Sequence, residues 1–458
     1  MTRRVSRRDF IKATAIGAGG AFLASCAPAA TPTAQVVAPP ATAAGGAAPP
    51  VTIEVLWENW GELFNKKMSS IGDAFTKDAA PNITVKWDFA ENNKEKLLAG
   101  VAAGTPPDAT ITSYIENATY AAKGTFMPLD DLLAEAGLGQ KDFVPGMWDT
   151  SIWEGKLYAI PGGADAKFLV YSKDVYRDAG LDPEAPPKTV DEFREHALKI
   201  LKKDAQGNIE RLGYAPIATD MRYWVPLWGG DWYDPATKKV TANSPKVVEA
   251  WQWVLDYANE IGLDKVTAWM DANPGIQSEA SPFCVKKEAF FSDGWWVYDT
   301  LDTFAPKIDY GVAAWPTLHG TPEERKNWVI QGWMLAIPKG SKHVNEAWQF
   351  IKYGFVDQAW AMACRSLNGI SVPGQMAQMS KCVKEEILGT TNRMVPYFDI
   401  YDEMLSLGTK HWPVMTASAF YWDEMKRIYD FVIRGQKQVK EALDELTESV
   451  QKELDKGV

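Results

Sequence analysis

The sequence predicts an α/β protein made of two layered domains, each with a largely parallel sheet. Three observations predict it. Period-two apolar segments alternate with segments of helical period along the chain. Roughly 400 residues carry that alternation, more than one domain of ordinary size holds. No Pro/Gly/Ser-rich linker interrupts residues 51–458, so no domain boundary shows in composition.

The elements follow in order. Val51 to Trp57 alternates like a strand. Phe64, Met68, Ile71 and Phe75 then share one helical face. Ile83, Val85, Trp87 and Phe89 return to period two. Lys94 to Ala103 reads as a helix stopped by Gly104 and Pro106-Pro107. Residues 109–112 form a short strand, and Asn117 to Lys123 a helix ended at Gly124. Thr189-Val-Asp-Glu192 is a capping-box signature opening a helix to about Lys203. Ser244-Pro245 sets an N-cap and a first-turn proline before a helix carrying Val248, Trp251 and Leu255, which stops near Gly262. Val439, Leu443, Leu446, Val450 and Leu454 mark a last helix. No short internal repeat is present.

Composition narrows the class. The 458 residues are 46% hydrophobic and 23% charged, which excludes global disorder, collagen and a coiled-coil rod. After the first 25 residues no uncharged apolar run reaches the roughly 18 to 20 residues of a membrane helix. A formal charge of −11 gives no general attraction to phosphate backbones, so nucleic acid is not an expected partner. The outlier is 20 Trp. An indole suits a core or a flat ligand platform equally, and for any single Trp core packing is the plainer reading.

The first fifty residues carry an address. A basic start precedes the short apolar stretch Ala13 to Ser25, as in an export signal. Ser6-Arg7-Arg8-Asp9-Phe10-Ile11-Lys12 resembles the twin-arginine signal, which directs export of folded proteins. Leu23-Ala24-Ser25-Cys26 resembles a bacterial lipobox, which implies cleavage before Cys26 and lipid attachment there. Residues 26–50 are then an Ala/Pro/Thr-rich tether at the outer face of the cell membrane. Loss of residues 1–25 leaves 43 basic and 58 acidic side chains, a formal charge of −15.

Three further cysteines follow: Cys284, Cys364 and Cys382. Outside the cytoplasm Cys364 and Cys382 could pair, leaving Cys284 single. Three small buried thiols is the preferred reading, and the spacing is not that of a metal site. The four histidines, 196, 319, 343 and 411, are scattered and suggest no metal cluster. No cofactor is expected.

Four segments carry a family resemblance. The first is Ala103-Gly-Thr-Pro-Pro-Asp108 with Tyr120-Ala-Ala-Lys-Gly124 and Pro128-Leu-Asp-Asp-Leu132. The second is Gly155-Lys-Leu-Tyr-Ala-Ile-Pro161 with Tyr171-Ser-Lys-Asp174, Ala179-Gly-Leu181 and Pro187-Lys-Thr189. The third is Gly332-Trp-Met-Leu-Ala-Ile-Pro-Lys-Gly340 with Glu346-Ala-Trp-Gln-Phe-Ile351. The fourth is Ser418-Ala-Phe-Tyr-Trp422 before Ala442-Leu443. In this order they resemble the extracellular solute-binding proteins of ABC importers, in the maltose-binding-like family that mostly carries sugars. The resemblance implies a two-lobe periplasmic-binding-protein fold of type II, with discontinuous lobes joined by hinge strands. It sets a first lobe at 51–162 with a return near 339–375, and a second at 166–332 with the C-terminal segment 376–458. A ligand sits in the interlobe cleft and the lobes close on it. The implied partners are a small solute, an oligosaccharide foremost, and the permease subunits in the membrane. The protein is expected to be a monomer.

Sugars present hydroxyl edges and apolar faces, so the site calls for aromatic platforms, carboxylates and amides. In Trp57-Glu58-Asn59-Trp60, after the first strand, Trp57 reads as core and Glu58 and Trp60 as cleft candidates. Thr112 and Ser113 end the strand after Pro107, as ligand contacts or as a helix cap. The resemblance puts Asp165 where relatives grip sugar hydroxyls near the hinge. From Tyr223-Trp224 and Trp228-Gly-Gly-Asp231-Trp232, Trp228 and Asp231 are chosen as ligand contacts. Asp293-Gly-Trp-Trp296 matches a family loop ending in an aromatic platform, Trp296, with Trp295 as its neighbour. That local match departs from the family in Lys286-Lys287-Glu288, where glycine is common. Trp333 either stacks or packs at the hinge, and Tyr421 matches a sugar-contacting aromatic, with Trp422 as the alternative one position on.

Rival readings remain open. A secreted glycoside hydrolase needs two opposed carboxylates, and 59 acidic residues are available to supply them. No Gly-x-Ser-x-Gly elbow, His-Glu-x-x-His motif or phosphate-binding loop is present. An adhesion or sensor module is the third class. Among solutes, sugar phosphates, polyamines and peptides are the alternatives, a phosphate needing a local arginine such as Arg222 or Arg365.

Overall fold

Two sheets organise the chain, and three segments of chain pass between them. The computed structural model describes residues 49–273, 278–295, 297–366, 370–387, 389 and 393–457. The expected signal, Cys26 and all but the last two residues of the tether lie outside the described residues.

The first layer opens as the apolar spacing predicts. β1 (Val51–Glu58), α1 (Glu62–Asp78), β2 (Ile83–Ala90), α2 (Asn93–Ala103) and β3 (Ala109–Ser113) succeed one another. Met68, Ile71 and Phe75 are buried on α1, and Gly104 ends α2 in the left-handed conformation that glycine takes without strain. The remaining main strands are β4 (Ile160–Ala166), β5 (Phe168–Ser172), β6 (Phe290–Asp293), β7 (Tyr310–Ala313) and β8 (Ile330–Ala336). The first sheet has the order β2-β1-β3-β8-β4, the second β6-β5-β7.

The expectation of largely parallel sheets needs correction. β1 pairs parallel with β2 and β3, but β8 is antiparallel to both β3 and β4. The second sheet is antiparallel throughout. The cause is connectivity. The chain leaves the first sheet along β4 and re-enters it along β8, so these two strands run in opposite directions. Only Lys167 separates β4 from β5, so the outward switch between sheets is made at one residue.

α3 (Asn117–Ala122) follows β3 in the first layer, and around the second sheet lie α4 (Val190–Ile200), α5 (Met221–Leu227) and α6 (Pro245–Ile261). Thr189 and Glu192 close the capping box reciprocally, at 3.1 and 3.3 Å. α4 stops short of Lys203, because Lys202–Lys203 pairs antiparallel with Ile209–Arg211. The Asp204 carboxylate ties that turn by accepting from the N–H groups of Gln206 and Asn208. On α6 the buried stripe is Val247, Ala250, Trp251, Val254, Ala258 and Ile261, with Val248 and Leu255 at its edge.

The C-terminal third contains α7 (Val344–Lys352), α8 (Ala359–Ser366), α9 (Met376–Cys382), α10 (Phe398–Leu407), α11 (Ser418–Ile433) and α12 (Val439–Asp455). α8 packs on α1, and α9 packs on α8, so residues 376–382 sit with the first sheet rather than the second. Arg393 reaches the second side, donating to the carbonyl of Ile308 at 2.6 Å. α11 and α12 pack together, and α12 rests on α6. Cys364 and Cys382 are disulfide-bonded with Cα atoms 6.0 Å apart, and Cys284 is free. The preferred reading of three thiols is thus corrected: side-by-side packing of α8 and α9 joins two of them. Among the described residues no helix is long and apolar enough to cross a membrane.

Candidate functional site

The site is built where the two crossing strands meet. β4 reads Ile-Pro-Gly-Gly-Ala-Asp-Ala and is buried along its whole length. Its register with β8 sets Asp165 opposite Gln331 and Gly163 opposite Trp333. The two glycines make room for the Trp333 indole: a Cβ on Gly163 would stand 2.8 Å from its Cε2, and one on Gly162 would overlap it. Trp333 is 8% exposed and touches Trp57, Trp60 and Phe355, at ring centroid distances of 5.1, 6.2 and 5.6 Å. Of the two readings of Trp333, the structure shows packing, against Trp57, Trp60 and Phe355.

Asp165 is 5% exposed. Its Oδ2 accepts from Gln331 Nε2 and its Oδ1 from the Trp295 N–H, both at 3.4 Å. Burial pushes its carboxyl up to about 7, against the opposing pull of Lys167 and these two donors. Gln331 in turn accepts from the Tyr223 hydroxyl. A line of polar groups therefore runs from Tyr223 on α5, through β8, to β4.

Beside it stands Arg222. Asp220 caps α5, accepting from the Arg222 N–H at 3.0 Å. The same carboxylate holds the guanidinium at 2.6 to 3.1 Å. Arg222 Nη1 donates to the Tyr114 hydroxyl at 3.0 Å, and the guanidinium lies 3.9 Å from the ring centre of Trp422. Tyr114 follows β3 in the first layer, whereas Arg222 belongs to the second. Lys167 pairs with Asp293 at 3.6 Å on the same side.

On the first layer, Glu58 is exposed at the end of β1 and Trp60 is half-buried, its edge on Phe64 at 4.7 Å. Ser113 is half-buried and donates to Glu116, which pairs with Lys94. Lys94 also feels the charges of Glu58 and of Asp423 on α11.

Several expected contacts are elsewhere. Thr112 is buried in β3 opposite Met334, since alternation turns it away from Ser113. Trp228 is 3% exposed, packed on Trp224 and Trp253. Asp231 is exposed and paired with Lys410 at 2.7 Å, away from the Arg222 network. Trp295 is fully buried, stacked on Tyr401, and contributes its N–H instead of its ring. Tyr421 is fully buried, with its hydroxyl spent on the Trp232 carbonyl at 2.9 Å, and the rim position belongs to Trp422. Trp296 and the Arg365 side chain lie outside the described residues.

The structure adds Tyr114, Asp220, Tyr223, Gln331, Lys167, Lys94 and Glu116. The signal for one was present: Asp220 precedes an apolar helix as an N-cap, which brings its carboxylate back over the first turn. Gln331 had no local signal, because its partner lies 166 positions away. Among the described residues no group of three His, Cys, Asp or Glu side chains is set to hold a metal ion.

Residues 58–359 match the family described as bacterial extracellular solute-binding protein. A binding protein of Brucella abortus (strain 2308) is 24% identical over 314 residues, 68% of this chain and 73% of that protein. The sn-glycerol-3-phosphate-binding periplasmic protein UgpB of Escherichia coli (strain K12) is 31% identical over 163 residues, 34% of this chain and 37% of its own. The solved structure of CpMnBP1 with mannotriose bound shares the fold at a TM-score of 0.73 and 22% identity, covering 87% of this chain and 100% of that one. The fold is therefore the α/β periplasmic-binding-protein fold expected from the sequence. With residues 58–359 matched and the architecture shared along most of its length, the chain belongs to the bacterial extracellular solute-binding protein family, whose members bind a solute for ABC transport and are not enzymes.

Proposed function

We propose that the protein captures an oligosaccharide in the cleft between its two layers and delivers it, chemically unchanged, to the permease of an ABC importer. The Arg222 arrangement carries this reading. Its guanidinium is matched by Asp220, bonded to Tyr114 and laid over Trp422. Lys167 has Asp293 beside it. Aromatic faces next to charge-matched donors and acceptors suit neutral hydroxyl groups and apolar sugar faces.

The contact set comprises Glu58, Trp60, Ser113, Tyr114, Arg222, Tyr223, Asp293, Gln331 and Trp422, with Asp165 orienting Gln331 from behind. The layers close as lobes about Lys167 and the segment 314–329. The similarity to the glycerol-3-phosphate-binding protein supports a phosphate ester as the second reading. That ligand would have to displace Asp220 from Arg222. Before capture, the chain is exported by the twin-arginine route and anchored by lipid at Cys26.

A thermal-shift panel tests the proposal, with mono- and oligosaccharides, sugar phosphates, polyamines and short peptides. A ligand at 100 times its Kd adds about 2.7 kcal/mol. The expected result is stabilisation by oligosaccharides, recovered intact by mass spectrometry. Stabilisation by phosphate esters alone would replace the cargo, and turnover of a bound sugar would overturn the reading.

A further inference from the structure

Beside the Arg222 network the second layer holds a cavity of about 250 Å³. It is smaller than the roughly 300–1,000 Å³ of a site for a whole ligand, and so fits one unit of a chain. Tyr223, Asp220, Lys167 and Asp293 form its cleft side. Tyr214, Trp224, Trp315 and Phe291 form its aromatic walls, and Glu288 lies among them.

One carboxyl on this wall lacks a cationic partner. Asp220 is matched by Arg222, and Asp293 by Lys167. Glu288 makes no ion pair among the described residues. Its carboxyl accepts from the Ala215 N–H, and burial pushes it up to about 8. The neighbouring Lys286 is committed to Asp174 at 2.9 Å. A carboxyl ringed by aromatic walls favours a cation, through ion pairing and through the negative faces of the rings.

We propose that this cavity is a subsite for one amine-bearing unit of the cargo, an amino sugar whose ammonium pairs with Glu288 and whose apolar face lies against the walls of Tyr214, Trp224, Trp315 and Phe291. The inference rests on the oligosaccharide reading above. It deepens that reading by naming a charge on the ligand. The ammonium draws the Glu288 proton off, so that the carboxyl is ionised only when it has a partner.

The test is calorimetry at pH 7 with glucosamine, N-acetylglucosamine, a glucosamine trimer, its N-acetylated counterpart and a neutral hexose trimer. The glucosamine trimer should bind about tenfold tighter than either other trimer, a difference of about 1.4 kcal/mol. Glu288→Gln should remove the preference while leaving the neutral trimer unchanged. Ala218→Trp, at an exposed residue lining the cavity, should also remove it without disturbing the core. Trimers that bind without preference, or a preference that survives Glu288→Gln, would overturn the subsite and leave the oligosaccharide reading standing. If no trimer binds but glucosamine does, and only with Glu288 present, the subsite stands and the oligosaccharide reading falls. If no probe binds, both fall.

Discussion

Arg222 Nη1 donates to the Tyr114 hydroxyl at 3.0 Å, joining α5 to the end of β3 across 108 positions of sequence. This bond is a direct polar link between the two layers, and its acceptor can be deleted without changing a ring. Tyr114→Phe should therefore weaken oligosaccharide binding by about 1.5–3 kcal/mol, the range for hydrogen bonds to charged groups. Because the bond is formed without ligand, the urea midpoint of the free protein should fall as well. Calorimetry and denaturation on the same variant separate the two, and an unchanged affinity would count against this bond as part of the site.

The second prediction concerns Gly162. Its missing side chain is the space occupied by the Trp333 indole. Gly162→Ala should cost about 1–3 kcal/mol or more as overpacking. Combining it with Trp333→Leu should recover part of that loss, because the two positions share one contact. Strict additivity in the double variant would show that the clash is relieved elsewhere.

A third prediction is the pH dependence of stability. Burial pushes Asp165 up to about 7 and Glu288 up to about 8, whereas unfolded carboxyls titrate near about 4. Between these values the folded state holds protons that the unfolded state has released, so stability falls as pH rises. The penalty is absent below about pH 4 and complete above about pH 8. Urea midpoints should decline from about pH 5 to about pH 8, and Asp165→Asn and Glu288→Gln should each flatten the decline. Parallel profiles for all three proteins would refute this assignment.

The disulfide gives a fourth. Cys364 and Cys382 are 18 positions apart, so their bond closes a short loop of the unfolded chain. Reduction, or Cys364→Ser with Cys382→Ser, should lower stability by about 2–4 kcal/mol while leaving a folded, ligand-binding protein. Thiol titration after denaturation should find Cys284 reactive before reduction. Loss of binding on reduction would give the bond a role in the site itself.

The fifth is anchoring. Cys26→Ser should abolish incorporation of labelled fatty acid and release the protein from the membrane fraction. Replacing Arg7 and Arg8 with lysine should retain the precursor inside the cell. Continued membrane association of the Cys26 variant would require another anchor.

Much of the architecture was legible because its signals are local. Thr189 and Glu192 are three positions apart, and both halves of their capping box form. Gly104 ended α2 where its backbone freedom was needed. The crossing strands were harder to read. The antiparallel run of β8 depends on where the chain re-enters the sheet, which alternation does not encode. In the site, the choice between Tyr421 and Trp422 turned on about 100° of helix rotation. Ser418, Tyr421, Met425, Ile428 and Val432 form the buried stripe of α11, and that spacing already assigned Tyr421 to the inside. Trp228 was misread for a different reason. Dense aromatic sequence marks a core as readily as a platform, and here Trp224, Trp228 and Trp253 bury one another.

The link between α8 and α9 also has a history. On the proposed export route the chain crosses the membrane already folded, out of a reducing compartment into an oxidising one. The sulfurs of Cys364 and Cys382 then meet as finished neighbours, after every other contact in the molecule has formed. Their bond is a seal applied on arrival, and the fraction of molecules carrying it would record which side of the membrane each has reached.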